Sequence, residues 1–332
     1  MRSVLVTGST GFIGRHLVQV LARQGIHVRA LVRTSAQAEL ARSLGASAVD
    51  GALDDEAALG AAAAGVDTIF HLAGLTRARN EKAFRKVNAL GVQNLARCAP
   101  PGAHFVLVSS LAAAGPGTPE HPRGEGDVTE PVSAYGRSKR AGELLLWEEM
   151  RFGSLGAATV LRPPMVYGPH DRNVTSLIAA VAKGTALLPA GRERWFSYAF
   201  GPDLAEAIAT AGADRRARGL TLNVASKEPV SHGELITAMA AAVGREPRRL
   251  KIPNMLTLLA AAGGTCAGLL LRRPPILTLD KRREVLAPGW VADASRFHDL
   301  FPGSFETSLK EGMALTAAWA HSEGLLPGAK RA

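Results

Sequence analysis

Tyr135 and Lys139 stand four residues apart in SAYGRSKRAGE, residues 133 to 143, and the surrounding pattern predicts a helix over 133 to 150. Positions i and i+4 share a helix face, so phenol and ammonium project together. An adjacent ammonium stabilises a phenolate and draws a tyrosine's pKa down from about 10 toward neutrality, making the phenol a usable acid or base. Alone, this spacing is common on solvated helix faces. Upstream, however, HFVLVSS reads as a buried strand ending in Ser109 and Ser110. In a parallel sheet the carboxyl ends of strands are where ligands bind, so both serines arrive at that edge. Gly136 and Gly142 weaken the predicted helix, a cost that suits a close approach by sheet or ligand.

A second constellation opens the chain. VLVTGSTGFIGRHLVQVLARQG places Gly8, Gly11 and Gly14 between a predicted strand and an amphipathic helix. The first glycine permits a tight turn, the second lets backbone approach a pyrophosphate, and the third lets helix pack on strand. The helix N-terminus favours the negative charge. Nineteen residues after Gly14 the next strand ends in HVRALVRTS, where an NAD enzyme usually presents an acid to the ribose. This chain presents Arg33. Its guanidinium suits a 2′-phosphate, with Thr34 and Ser35 adding hydrogen bonds, so NADP is favoured and NAD stays open. The bland alternative is an exposed arginine at a strand end.

The elements that must position these residues alternate. SVLVT, HVRALV, ASAVD, VDTIFHLAG, HFVLVSS and AATVLR read as strands, separated by helices at 11 to 24, 35 to 44, 54 to 64, about 81 to 99, and the one carrying Tyr135. Strand, helix, strand repeated means parallel strands with right-handed crossovers. The expected class is α/β, a Rossmann doubly wound parallel sheet with a smaller C-terminal substrate-binding lobe. Residues 1–165 form the NAD(P)-binding domain in this reading and 166–332 the substrate lobe, with about 195–225 returning to the Rossmann core.

Composition narrows the partners. With 332 residues and 47% hydrophobic content the chain has ample material for a core. Cys98, Cys266 and the nine histidines show no metal-ligand spacing, so no metal is expected. The net charge of +10 invites nucleic acid, but no nucleic-acid-binding signature accompanies it and aromatics are only 5%; none is expected. The N-terminus lacks a signal-peptide core, which points to the cytoplasm. Residues 255 to 271 carry no charge and are flanked by GREPRRLK and RR. The run is short for a span and interrupted by Gly263-Gly264. It reads either as packed helices or as a peripheral contact with anionic lipid.

Taken jointly, the motifs resemble the extended short-chain dehydrogenase/reductases, the NAD-dependent epimerase/dehydratase family. TGSTGFIG looks like its TGxxGxxG and YGRSK like its YxxxK, while the serine-to-tyrosine spacing and the blocks HLAG, VNALGVQNL and LRPPMVYGP also match. The resemblance implies an NAD(P)-dependent enzyme acting on a small-molecule substrate, assembled as a homodimer. It implies that Tyr135 exchanges the proton, Lys139 binds the nicotinamide ribose, and Ser110 hydrogen-bonds the reacting oxygen. The loop Gly8, Thr10, Gly11, Phe12, Ile13 and Gly14 would hold the pyrophosphate. His71, Leu72 and Ala73 would line the adenosine side, Asn88 would steady neighbouring strands, and Val108 and Ser109 would sit at the cofactor's edge. Pro163, Met165 and Val166 would pass the nicotinamide carboxamide. Where the family has Gly-Asp-Leu this chain has Gly51-Ala52-Leu53, which leaves Leu53 as the adenine contact.

Departures from the family's subgroups bear on the reaction. The Asp-Glu pair of dehydratases is replaced by Leu111-Ala112, which removes the extra acid that dehydration needs. The asparagine that meets a sugar nucleotide's diphosphate is replaced by Met165 in Arg162-Pro163-Pro164-Met165. This resembles dihydroflavonol reductases and 3β-hydroxysteroid dehydrogenases, and implies reduction of a ketone or aldehyde on a mainly apolar substrate. A nucleotide-sugar epimerase is the alternative and would need a basic pocket from Arg192, Arg194 or Arg249. A catalytically silent cofactor sensor is the third reading.

Overall fold

The computed structural model describes residues 1–153, 155–253, 255, 258 and 279–327. Its first half alternates β1 (Ser3–Thr7), α1 (Phe12–Arg23), β2 (His27–Val32), α2 (Ser35–Ser43), β3 (Ser47–Asp50), α3 (Glu56–Ala63) and β4 (Thr68–His71). There follow α4 (Glu81–Arg85), α5 (Gly91–Arg97), β5 (His104–Val108), α6 (Leu111–Ala114), α7 (Ala134–Phe152) and β6 (Ala157–Arg162). The second half carries β7 (Met165–Tyr167), α8 (Arg172–Ala182), β8 (Thr185–Pro189), β9 (Trp195–Phe196), β10 (Tyr198–Phe200), α9 (Gly201–Ala213) and β11 (Thr221–Asn223). It continues with β12 (Val230–Ser231), α10 (His232–Val243), β13 (Arg248–Ile252), a helix at Leu279–Leu286, β14 (Gly289–Trp290) and a helix at Leu309–Ser322.

Seven strands form one parallel sheet in the order β11-β6-β5-β4-β1-β2-β3. Helices cover both faces, so the central strands are apolar throughout; β4, β5 and β6 are buried at every position. One face packs Val4, Val6, Leu17 and Phe70 against α9, and the other packs Leu5, Ile69, Phe105 and Leu146. A third cluster, around Tyr167, Ile178, Met239 and Met313, holds α8, α10 and Leu309–Ser322 together. The order reverses between β1 and β4, the place where a doubly wound sheet opens a crevice.

The expected single helix over 81 to 99 is broken by a π-helical turn, Lys86–Leu90. Its cause is Asn88. The side chain is buried, accepts from the Leu75 N–H at 2.8 Å and donates to the Leu75 carbonyl and to the Ser138 hydroxyl, both at 2.9 Å. The wider turn aims one asparagine at two segments. Asn88 thus ties the loop after β4 to α7.

Most of the 255–271 run lies outside the described residues; Met255 and Leu258 are described and exposed. No helix among the described residues is long and apolar enough to cross a membrane.

Candidate active site

The glycine loop is built as close approaches of backbone. Gly8 has φ +71°, and a Cβ there would lie 2.7 Å from the Ala73 nitrogen; at Gly14 a Cβ would stand 2.1 Å from the Gly8 carbonyl oxygen. α1 then starts behind Gly11 with no side-chain cap, which leaves its first N–H groups facing outward. In front lies a pocket of about 270 Å³ whose lining includes Gly8, Thr10, Arg33, Leu53 and Ala73. Uncapped amides and a helix dipole fit the pyrophosphate of a dinucleotide. Phe12 packs on His16, ring centroids 5.8 Å apart, and Ile13 packs on the core, so neither side chain enters the pocket.

Two residues sequence reasoning missed share this wall with Arg33: Gln37, which accepts from the Arg33 N–H at 2.9 Å, and Lys86, paired with Asp54 at 2.9 Å. His71 and Leu72 are not among the residues that line this pocket. His71 shares a 2.8 Å hydrogen bond with the Thr7 hydroxyl, and burial, aided by Lys139, holds its pKa down to about 3, so the ring stays neutral. Leu72 packs on the core. Ala73, Gly74 and Leu75 form that wall instead.

α7 carries Tyr135 as its second residue, behind the N-cap Ser133, whose hydroxyl accepts from the Gly136 N–H at 3.0 Å. Gly136 must lack a side chain, because a Cβ would lie 2.3 Å from the Ala112 carbonyl. The Tyr135 hydroxyl lies near enough to Ser110 for the serine to lower its pKa, and the tyrosine ring packs on Phe84 at 6.1 Å. Ser110 also caps α6, accepting from the Ala112 N–H at 3.2 Å. Lys139 is buried one turn on, and its Nζ donates to the Val108 carbonyl at 2.9 Å. A Cβ on Gly74 would lie 3.4 Å from that Nζ, which puts the ammonium beside the dinucleotide pocket.

The expected fall in the tyrosine's pKa is not what the structure shows. Burial pushes Tyr135 up to about 12, against a smaller lowering by Ser110, and Glu284 raises it further. Burial also draws Lys139 down to about 8, opposed by Glu143. Burial thus favours the protonated phenol.

Ser109 is likewise absent from both linings. Its hydroxyl donates to Glu143 Oε1 at 2.6 Å in the interior, away from both pockets. Glu143, fully buried, takes two bonds from Arg162, 2.9 and 2.7 Å, and a third contact from Arg140 at 3.2 Å. Tyr135, Lys139 and Glu143 form an i, i+4, i+8 stripe on α7, a spacing that marks Glu143 as a member of the same face. Of the residues after β6, Met165 lines a second pocket, Val166 packs on the core, and the Pro163 carbonyl accepts from the Leu111 N–H at 2.8 Å.

That second pocket, about 380 Å³, opens over Ser110 and Tyr135. Leu111, Pro164, Met165, Phe196, Val285 and Trp290 make its apolar wall; Thr76, Asn173, Lys281 and Glu284 add polar groups. Residues 4–225 match the model of the NAD dependent epimerase/dehydratase family. The chain belongs to that family. Among family members, a ceramide reductase of Caulobacter vibrioides is 31% identical over 98% of this chain and 96% of its own. A UDP-glucose 4-epimerase of Vibrio cholerae is 28% identical over 76% of this chain and 79% of its own. The solved UDP-glucose 4-epimerase of Thermotoga maritima superposes with a TM-score of 0.76 at 21% identity, over 96% of this chain and 98% of that one. The chain is an NAD(P)-dependent oxidoreductase or epimerase on the Rossmann sheet of this family.

Proposed function

We propose that the protein is an NADPH-preferring reductase of a ketone or aldehyde carried on a mainly apolar, long-chain substrate. The observation that carries this is the apolar wall of the pocket over Ser110 and Tyr135. Arg192, Arg194 and Arg249, the candidates for gripping a diphosphate, are not among its described lining residues, which weighs against a nucleotide-sugar epimerase. The 31% identical ceramide reductase, matched along nearly its whole length, supports the lipid-like reading.

A bound nicotinamide would supply the hydride that the carbonyl carbon receives. Ser110 and Tyr135 hold the carbonyl oxygen, and Tyr135 gives its hydroxyl proton to that oxygen as negative charge develops there. Lys139, whose Nζ lies near Gly74 of the dinucleotide pocket, would bind the nicotinamide ribose. Gly8, Thr10, Gly11 and the first turn of α1 would hold the pyrophosphate, and Arg33 with Lys86 would take the 2′-phosphate.

Two measurements test this. NADPH should raise the melting temperature more than NADH at equal concentration, and Arg33→Asp should erase the difference, because stabilisation follows occupancy. A loss of one guanidinium–phosphate contact corresponds to roughly tenfold or more in NADPH affinity. With 2-dodecanone as probe, the protein should oxidise NADPH. NADH preference, or tightly held NAD with turnover of UDP-glucose, would put the epimerase first.

A further inference from the structure

The helix Leu279–Leu286 belongs by position to the substrate side, yet its two carboxylates reach the start of the catalytic helix. Asp280 Oδ2 accepts from the Ala134 N–H at 2.8 Å, and Glu284 accepts from the Ser133 hydroxyl. Asp280 and Glu284 are four residues apart, so one helix face delivers both. They meet α7 at its N-cap and first residue, immediately before Tyr135. An unpaired first-turn amide finds an acceptor there, and the positive end of a 19-residue helix finds negative charge.

The contact is braced on every side. Glu284 is buried and paired with Lys281, and its backbone carbonyl accepts from Trp290 Nε1 at 2.9 Å. Arg137, one turn into α7, bonds Glu81 at 2.8 Å and lies 3.8 Å from Asp280. Lys281, Glu284, Val285 and Trp290 at the same time line the substrate pocket. The segment that walls the substrate is thus the segment that grips the turn bearing the proton donor.

We propose that Asp280 and Glu284 are positioning residues: a carboxylate clamp from the substrate side that fixes the first turn of α7, so that seating substrate against Val285 and Trp290 and seating the Tyr135 hydroxyl are one event. Neither carboxylate need touch the reacting atoms. Ser133 is the joint, since its hydroxyl caps α7 while donating to Glu284. A displacement of the tyrosine by an ångström costs turnover steeply, whereas the dinucleotide pocket, lined from the end of β1, the turn after it, the end of β2 and the segment after β4, does not depend on the clamp.

The inference rests on the reductase reading for its kinetic arm and is independent of it for its spectroscopic arm. The chain has three tyrosines, so fluorotyrosine labelling gives three fluorine resonances, with Tyr135 assigned by its loss in Tyr135→Phe. In Asp280→Ala/Glu284→Ala the Tyr135 resonance should shift or broaden while Tyr167 and Tyr198 stay in place. Asp280→Asn/Glu284→Gln, which keeps the acceptor oxygens, should restore most of the native signal. With 2-dodecanone the alanine pair should lose about tenfold to a hundredfold in kcat with the KM for NADPH unchanged. An unmoved Tyr135 resonance in the alanine pair overturns the clamp, whatever the substrate. Failure of the unsubstituted protein to reduce 2-dodecanone counts against the reductase reading and leaves the resonance test standing.

Discussion

Tyr135→Phe should lower kcat for carbonyl reduction by roughly a hundredfold to ten-thousandfold, the usual worth of a positioned proton donor, and leave NADPH affinity unchanged. The substitution removes one oxygen from a ring that keeps its packing on Phe84, and it lies outside the dinucleotide pocket's lining. Steady-state kinetics beside a thermal titration with NADPH separates the two effects. A loss confined to KM would mean that the phenol only binds substrate, and the assignment of the proton to its hydroxyl would fail. The pH profile carries a second check. Tyr135, held near 12 by burial, stays protonated through the working range. Lys139, drawn down to about 8, loses its proton first as pH rises. The alkaline decline in rate should therefore begin near pH 8 and belong to the lysine, since deprotonation there removes positive charge from the nicotinamide side of the site.

Which parts of this site were legible beforehand follows from how each is encoded. Tyr135, Lys139 and Ser110 rest on a helical period and a strand end, both local patterns, and the structure brings all three together around two adjoining pockets. The seven-stranded sheet is equally local in origin: β-branched runs spaced by helices. Ser109 and His71 fall outside both pocket linings because residues near a strand's end alternate between faces, and no local pattern says which face carries the site. The tyrosine's pKa was misjudged for a different reason. Spacing reveals a neighbouring charge but not burial, and burial is the larger effect here. Glu143 was readable from its stripe; Asp280 and Glu284 were not, because they meet α7 across 146 and 151 residues of chain, a pairing that depends on where the substrate side folds back.

The same buried network predicts the largest stability effect. Glu143 anchors α7 to the ends of two strands at once, through Ser109 after β5 and Arg162 at the end of β6. In Glu143→Ala, Arg162 is left as a buried charge without its bidentate partner, with its Nη1 already lacking one, and Ser109 loses its acceptor. Removing one member of a buried pair costs about 3–5 kcal/mol, which for a chain of this size lowers the melting temperature by roughly 4–7 °C. Replacing both members, as in Glu143→Leu/Arg162→Met, should recover most of that loss, because two apolar chains of similar volume need no desolvation of charge. Thermal melts of the three proteins decide the matter. If the alanine variant melts with the unsubstituted chain, the pair does not hold α7, and Lys139 must owe its place to the Val108 carbonyl alone. If the alanine variant falls and the double variant recovers stability but not turnover, the ion pair serves chiefly to aim the face that bears Tyr135 and Lys139, and packing alone suffices to hold the helix on the sheet.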